Sequence, residues 1–86
     1  MTGIEQIHET GIYFRWNKVT GAEGYEIFIS PANANTFKKV ATQANNRLKN
    51  SGLRTDIKVK IRAYVVVNSK KVYGEFSKTV VLKPVK

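Results

Sequence analysis

The sequence predicts an all-β fold, a seven-stranded antiparallel sandwich forming a single domain over residues 1–86. Three observations predict it. Apolar and polar side chains alternate with period 2 in several short runs. Gly, Asn, Pro and Ser collect between those runs. A chain of 86 residues has room for one domain. The hydrophobic fraction of 42% is that of a folded globular chain. A domain this small buries about 60–65% of its unfolded surface. Its stability is therefore expected near ~5 kcal/mol and should rest on a few large apolar side chains.

Each element follows from its own pattern. In Gly11–Asn17, Ile12, Phe14 and Trp16 share one side, and Tyr13, Arg15 and Asn17 the other. In Tyr25–Ser30, Tyr25, Ile27 and Ile29 alternate with Glu26, Phe28 and Ser30. The cleanest amphipathic strand is Ile57–Tyr64. There Ile57, Val59, Ile61 and Ala63 alternate with Lys58, Lys60, Arg62 and Tyr64. Thr79–Leu82 reads as the closing strand. Turn chemistry separates these runs at Thr20–Gly24, Pro31–Asn35, Asn50-Ser51-Gly52 and Asn68-Ser69. Lys83-Pro84-Val85-Lys86 reads as a run-out into a neighbouring domain or a frayed tail.

The segment Thr36–Lys49 supports two readings. Phe37, Val40, Ala41, Ala44 and Leu48 make a helical stripe, with Thr36 available as N-cap. Asn45-Asn46 disfavours that helix. The alternative is a strand Phe37–Thr42, a loop, and a short strand Arg47–Asn50.

Charge is the one compositional anomaly. The net charge is +9, and it is segregated. Residues 1–35 hold two basic and four acidic side chains, whereas residues 36–86 hold thirteen basic and two acidic ones. Such a half either keeps the domain soluble or attracts an anionic polymer. The absence of cysteine excludes disulfides, thiolate nucleophiles and cysteine-ligated metal. The longest apolar run, Ala63–Val67, is too short to span a membrane, so no membrane insertion is expected. No apolar h-region follows Met1-Thr2-Gly3. Any secretion signal is therefore expected to belong to a longer parent chain.

Catalytic constellations are weak. The lone His8, without cysteine, does not make a typical zinc site. Glu23 and Glu26 straddle a turn and a strand, so nothing holds them across a cleft. Asp56 has neither a nucleophile elbow nor a paired His. There is no Gly-rich phosphate loop. The domain is expected to be non-enzymatic, with no cofactor and no metal.

Three stretches carry a resemblance. The first is Ile12-Tyr13-Phe14-Arg15-Trp16-Asn17-Lys18-Val19 followed by Gly21-Ala22-Glu23-Gly24-Tyr25-Glu26-Ile27. The second is Ser51-Gly52-Leu53 followed by Val59-Lys60-Ile61-Arg62-Ala63-Tyr64. The third runs Val67-Asn68-Ser69-Lys70-Lys71-Val72-Tyr73-Gly74-Glu75-Phe76-Ser77. Together, over about residues 4–83, they resemble a fibronectin type III domain of the kind common in bacterial extracellular proteins. The chain departs from the family where Ile57 stands in place of the tyrosine of the tyrosine corner, and the preceding loop Arg54-Thr55-Asp56 is short. Leu53 and Ile57 are then expected to pin the corner by burial.

The resemblance implies an immunoglobulin-like topology, with the sixth strand central in the larger sheet and the third strand beside it. It implies termini at opposite ends of the sandwich. The expected core is Ile12, Phe14, Trp16, Tyr25, Ile27, Ile29, Leu53, Val59, Ile61, Ala63, Val80 and Leu82. The resemblance further implies a non-catalytic structural, spacer or interaction module of a larger extracellular or cell-surface bacterial protein. Its partners would be neighbouring domains of the same chain, and the parent could be a polysaccharide or cell-wall hydrolase.

The alternative is a binding module with a basic face for an anionic polymer, such as a wall polymer or acidic polysaccharide, or for a protein partner. The candidate surface is Phe28, Lys58, Lys60, Arg62, Tyr64, Lys70 and Lys71, with Lys38 or Lys39 extending it. Lys58, Lys60 and Arg62 would stand in an outward row about 6.5–7 Å apart. Glu26 would lie outward beside them in exposed pairs worth ~0–1 kcal/mol each. Nucleic acid is the least favoured ligand, because the sequence shows no face of interleaved aromatics.

Overall fold

A computed structural model describes residues 3–50, 52 and 55–85. They form eight strands: β1 Ile4–Ile7, β2 Ile12–Trp16, β3 Gly24–Pro31, β4 Lys38–Gln43, β5 Arg47–Asn50, β6 Ile57–Val67, β7 Lys70–Tyr73 and β8 Val80–Leu82. No described residue is helical, so the helical stripe of Thr36–Lys49 gives way to β4, a bend and β5.

The strands make two antiparallel sheets packed as a sandwich. One has the order β1-β2-β5. The other has the order β4-β3-β6-β7, with β8 also paired to β6. The seams between them are Ile12, Phe14 and Trp16 from β2 and Tyr25, Ile27, Ile57, Val59, Ile61 and Leu82 from the larger sheet, all buried. Period 2 explains this directly, since alternate residues of β2 and β6 point to one side.

Trp16 sits at the centre of the apolar layer, 2% exposed. Its ring meets Tyr25 edge-on at 5.4 Å and lies 6.0 Å from Phe14. The Tyr25 hydroxyl accepts the Val19 N–H at 2.9 Å, which ties the β2–β3 turn to the core. Of the expected core, Ile29, Ala63 and Val80 are half-buried and pack against it, and Leu53 lies outside the described residues. Ile57 is 3% exposed, as the corner reading requires.

Three features depart from expectation. First, the last strand is split, giving eight strands where seven were expected. β7 pairs with Tyr64–Val67 and β8 with Ile57–Val59, along one edge of β6. Between them the chain leaves regular pairing but stays attached. Gly74 and Ser77 donate their N–H groups to Ala63 and Ile61, and the Ser77 hydroxyl accepts the Ile61 N–H at 2.9 Å. A side-chain oxygen thus replaces a ladder carbonyl, and the chain bows outward at Phe76.

Second, β6 runs three residues beyond the expected Tyr64, into a hairpin closed by Asn68 and Ser69. Both have positive φ, 50° and 65°, the signature of a type I′ turn. Third, the described part of the tail, residues 83–85, is tied down. Val85 exchanges two backbone hydrogen bonds with Gly11, whose φ is 88°. The Gln6 side chain also bonds the Lys83 main chain. The tail therefore crosses to the smaller sheet, where it meets the residue before β2 and the Gln6 side chain of β1.

Candidate binding face

Period 2 on β6 turns Lys58, Lys60, Arg62 and Tyr64 away from the core. Register then sets their neighbours on β3: Ser30 is opposite Lys58, Phe28 opposite Lys60, Glu26 opposite Arg62, and Gly24 opposite Tyr64. The outer face of the larger sheet therefore holds five of the seven expected surface residues together: Phe28, Lys60, Arg62, Tyr64 and Lys71. Lys58 and Lys70 stand apart from them.

Lys58 is committed to a loop. Its ammonium donates to the Ala34 carbonyl at 2.9 Å and to Asn35 Oδ1 at 2.8 Å. The same loop is held from below by Ser30, whose buried hydroxyl accepts the Thr36 N–H at 3.0 Å. Lys70 is exposed at the start of β7, outside the cluster.

Glu26 corrects a second expectation. It was expected in solvated pairs but is 1% exposed. Its Oε1 lies 2.8 Å from Arg62 Nη2 and accepts from Arg62 Nε at 2.8 Å. Its Oε2 lies 3.4 Å from Lys39 and 3.7 Å from Lys71. Burial alone would push this carboxyl up. The hydrogen bonds and charge of Arg62, then those of Lys39, outweigh burial and hold it below the usual carboxylate range. A buried charge persists only with such pairing.

The cations are also layered with rings. The Arg62 guanidinium lies 3.8 Å from the Tyr73 ring centre, 5.0 Å from Phe76 and 5.4 Å from Phe28. The Lys60 ammonium sits between Phe76 at 4.3 Å and Phe37 at 4.4 Å. Contacts thus alternate Tyr73, Arg62, Phe76, Lys60, Phe37. Lys71 lies 4.6 Å over Tyr64, whose ring meets Tyr73 edge-on at 6.5 Å. Phe28 meets Phe76 edge-on at 5.3 Å. Each cation–ring contact contributes ~0.5–1 kcal/mol when exposed and ~2 when desolvated.

This overturns the expectation of a face without interleaved aromatics. The rings missed by sequence reasoning are Phe37, Tyr73 and Phe76. Tyr73 and Phe76 are three residues apart, a spacing that puts both on one face only because the chain bows between β7 and β8. Gly24 also acquires a reason. The Tyr64 ring lies over it, and a Cβ there would come 2.5 Å from the hydroxyl oxygen.

The remaining candidates stay dispersed. His8 is exposed between β1 and β2. Glu23 accepts the Val66 N–H at 3.2 Å, and the Asp56 carbonyl accepts the Ala32 N–H at 3.1 Å. Among the described residues no three His, Cys, Asp or Glu side chains gather as a metal site. No helix there is long and apolar enough to cross a membrane. No family model, curated protein or solved structure matches the chain.

Proposed function

We propose that the chain is a non-catalytic structural or spacer module, of fibronectin type III type, in a larger extracellular or cell-surface bacterial protein. Neighbouring domains of the same chain are its partners. The supporting observation is the commitment of its strongest cations to its own structure. Lys58 holds a loop, Lys60 lies between two rings, and Arg62 is bound to Glu26 and stacked on Tyr73. A face so occupied stabilises the sheet and leaves little to exchange for a ligand.

Strand order supports the family assignment. β6 is central in the larger sheet with β3 beside it, and β7 and β8 share one edge position, so the eight segments fill seven strand positions. The ends also suit a string of domains. Ile4 pairs beside Trp16 at one end of β2, and Val85 beside Gly11 at the other.

A second reading, a basic face for an anionic polymer, has one observation in its favour. Lys39, Arg62 and Lys71 surround a single carboxylate, Glu26, and Lys60 adds a fourth cation to the same face. A wall phosphodiester polymer or an acidic polysaccharide fits this excess better than single-stranded nucleic acid. Tyr73 and Phe76 are 43% and 39% exposed, but Arg62 and Lys60 already stack on them, so a base would have to share each ring with a cation.

The two readings separate in one experiment. Lys60→Gln and Arg62→Gln are compared with the parent in equilibrium unfolding and in binding to polyphosphate and polygalacturonate. The structural reading expects a drop in stability with no polymer binding to lose. Polymer binding that falls steeply with salt and disappears in both variants would replace it with the second reading.

A further inference from the structure

The inner side of β6 changes character along its length. Ile57, Val59 and Ile61 are buried, Ala63 and Val65 are half-buried, and Val67 is 50% exposed. The β6–β7 hairpin therefore overhangs the core. Val72, directly opposite Val65, is on the same side and 51% exposed. Beneath the overhang runs a shallow apolar groove of about 280 Å³, lined by Val19 and Ala22 of the β2–β3 turn and by Ala63, Val65 and Val72.

The groove opens beside a free sheet edge. β7 is the terminal strand of its sheet, and all four of its residues are exposed. The Gly74 N–H bonds the Ala63 carbonyl, so antiparallel alternation aims the N–H and C=O groups of Lys71 and Tyr73 away from β6. The edge is short, four residues, and carries Lys70 and Lys71, two of the usual guards against open pairing, but neither proline nor a register shift interrupts it. Its rim is basic, with Lys70 and Lys71 on the strand and Lys18 on the facing turn. The charge of the whole chain opposes pairing of one copy with another, since each copy carries +9.

We infer that the β7 edge takes up an extended segment of an acidic partner protein by strand addition. The Lys71 and Tyr73 main-chain groups continue the ladder, alternate apolar side chains of the segment enter the groove beside Val72, and its acidic side chains emerge on the opposite side, facing Lys71. Main-chain pairing supplies affinity and the groove supplies selectivity in this mode. Strand addition is separate from polymer binding by the outer face, with which it shares Lys71.

The test uses the whole chain and a synthetic peptide of alternating valine and glutamate, followed by backbone amide exchange. The Lys71 and Tyr73 amides exchange fast in the free protein and become protected with peptide. Lys71→Pro removes one outward donor and blocks approach without touching the β6 ladder, so it abolishes binding. Lys71→Ala retains the donor and weakens binding by less than about tenfold. Val72→Asp, at an exposed position, gives the same loss as the proline without altering the backbone. No protection at ~1 mM peptide overturns the inference. So does binding that survives Lys71→Pro, which would locate the peptide elsewhere, or an equal loss in Lys71→Ala, which would make the contact one of charge alone.

Discussion

The larger sheet has two packed faces built on opposite principles. The inner face is apolar: Tyr25, Ile27, Val59 and Ile61 close against Phe14 and Trp16 of the smaller sheet. The outer face has no opposing sheet. It is covered by its own side chains, with cations alternating with rings around one buried carboxylate. The inner face gains from removing area from water, at ~25 cal/mol per Å². The outer face gains from local electrostatics that water screens in part, so its per-residue contributions are smaller. A strand such as β6 can thus be held from both sides with a single apolar layer. For an 86-residue chain with one small core, the second face adds stability that the core alone does not supply.

The two faces are best set against each other by substitution. The largest effect belongs to the inner face. Trp16→Ala removes a ring that is 2% exposed and leaves a cavity, at a cost of about 3–5 kcal/mol in urea unfolding. A variant that kept the parent melting temperature would show that the core does not centre on Trp16.

Next comes Glu26→Gln on the outer face. It leaves Arg62, Lys39 and Lys71 facing a neutral group. The cations are partly exposed, with 26%, 48% and 38% of their side-chain surfaces open, so the loss is discounted to about 1–3 kcal/mol. The same residue sets a pH dependence. Its folded pKa is depressed, so its stabilisation is complete above the ordinary glutamate value near ~4.3 and is lost as pH falls below it. Glu26→Gln should flatten the acid limb of the stability profile. An unchanged acid limb would assign that limb to other carboxylates.

The smallest effect has the opposite sign. Ser69 holds a φ of 65° in the hairpin turn. Ser69→Gly relieves that conformation and should stabilise by about 0.5–1 kcal/mol. Because the turn lies outside both faces, this gain should add to either of the preceding losses within about 0.5 kcal/mol. Marked non-additivity would mean that the hairpin and the outer face are coupled.

The inner face was largely legible in the sequence. β2, β3 and β6 show clean alternation, and their buried residues follow from parity. β1 did not, because Ile4 and Ile7 are three apart and give no period-2 signal. β4 was blurred by a register shift opposite Ile27 and Phe28, which leaves Val40 exposed and spoils alternation. The outer face was legible only as a row of cations. Lys60 and Arg62 were found by parity, whereas Phe37 and Phe76 come from segments outside the strands. Glu26 looked like any strand glutamate. Its burial results from three cations on three different strands converging on it, which no local pattern records.

The claim at the centre of this account is that the outer face is a structural layer rather than an open basic patch. The most direct measurement is a double-mutant cycle on Arg62→Gln and Tyr73→Leu in equilibrium unfolding, at the 3.8 Å contact of guanidinium and ring. The account predicts a coupling of about 0.5–2 kcal/mol. A coupling of ~0 would contradict it, because the ring and the cation would then stand independently on a solvated face.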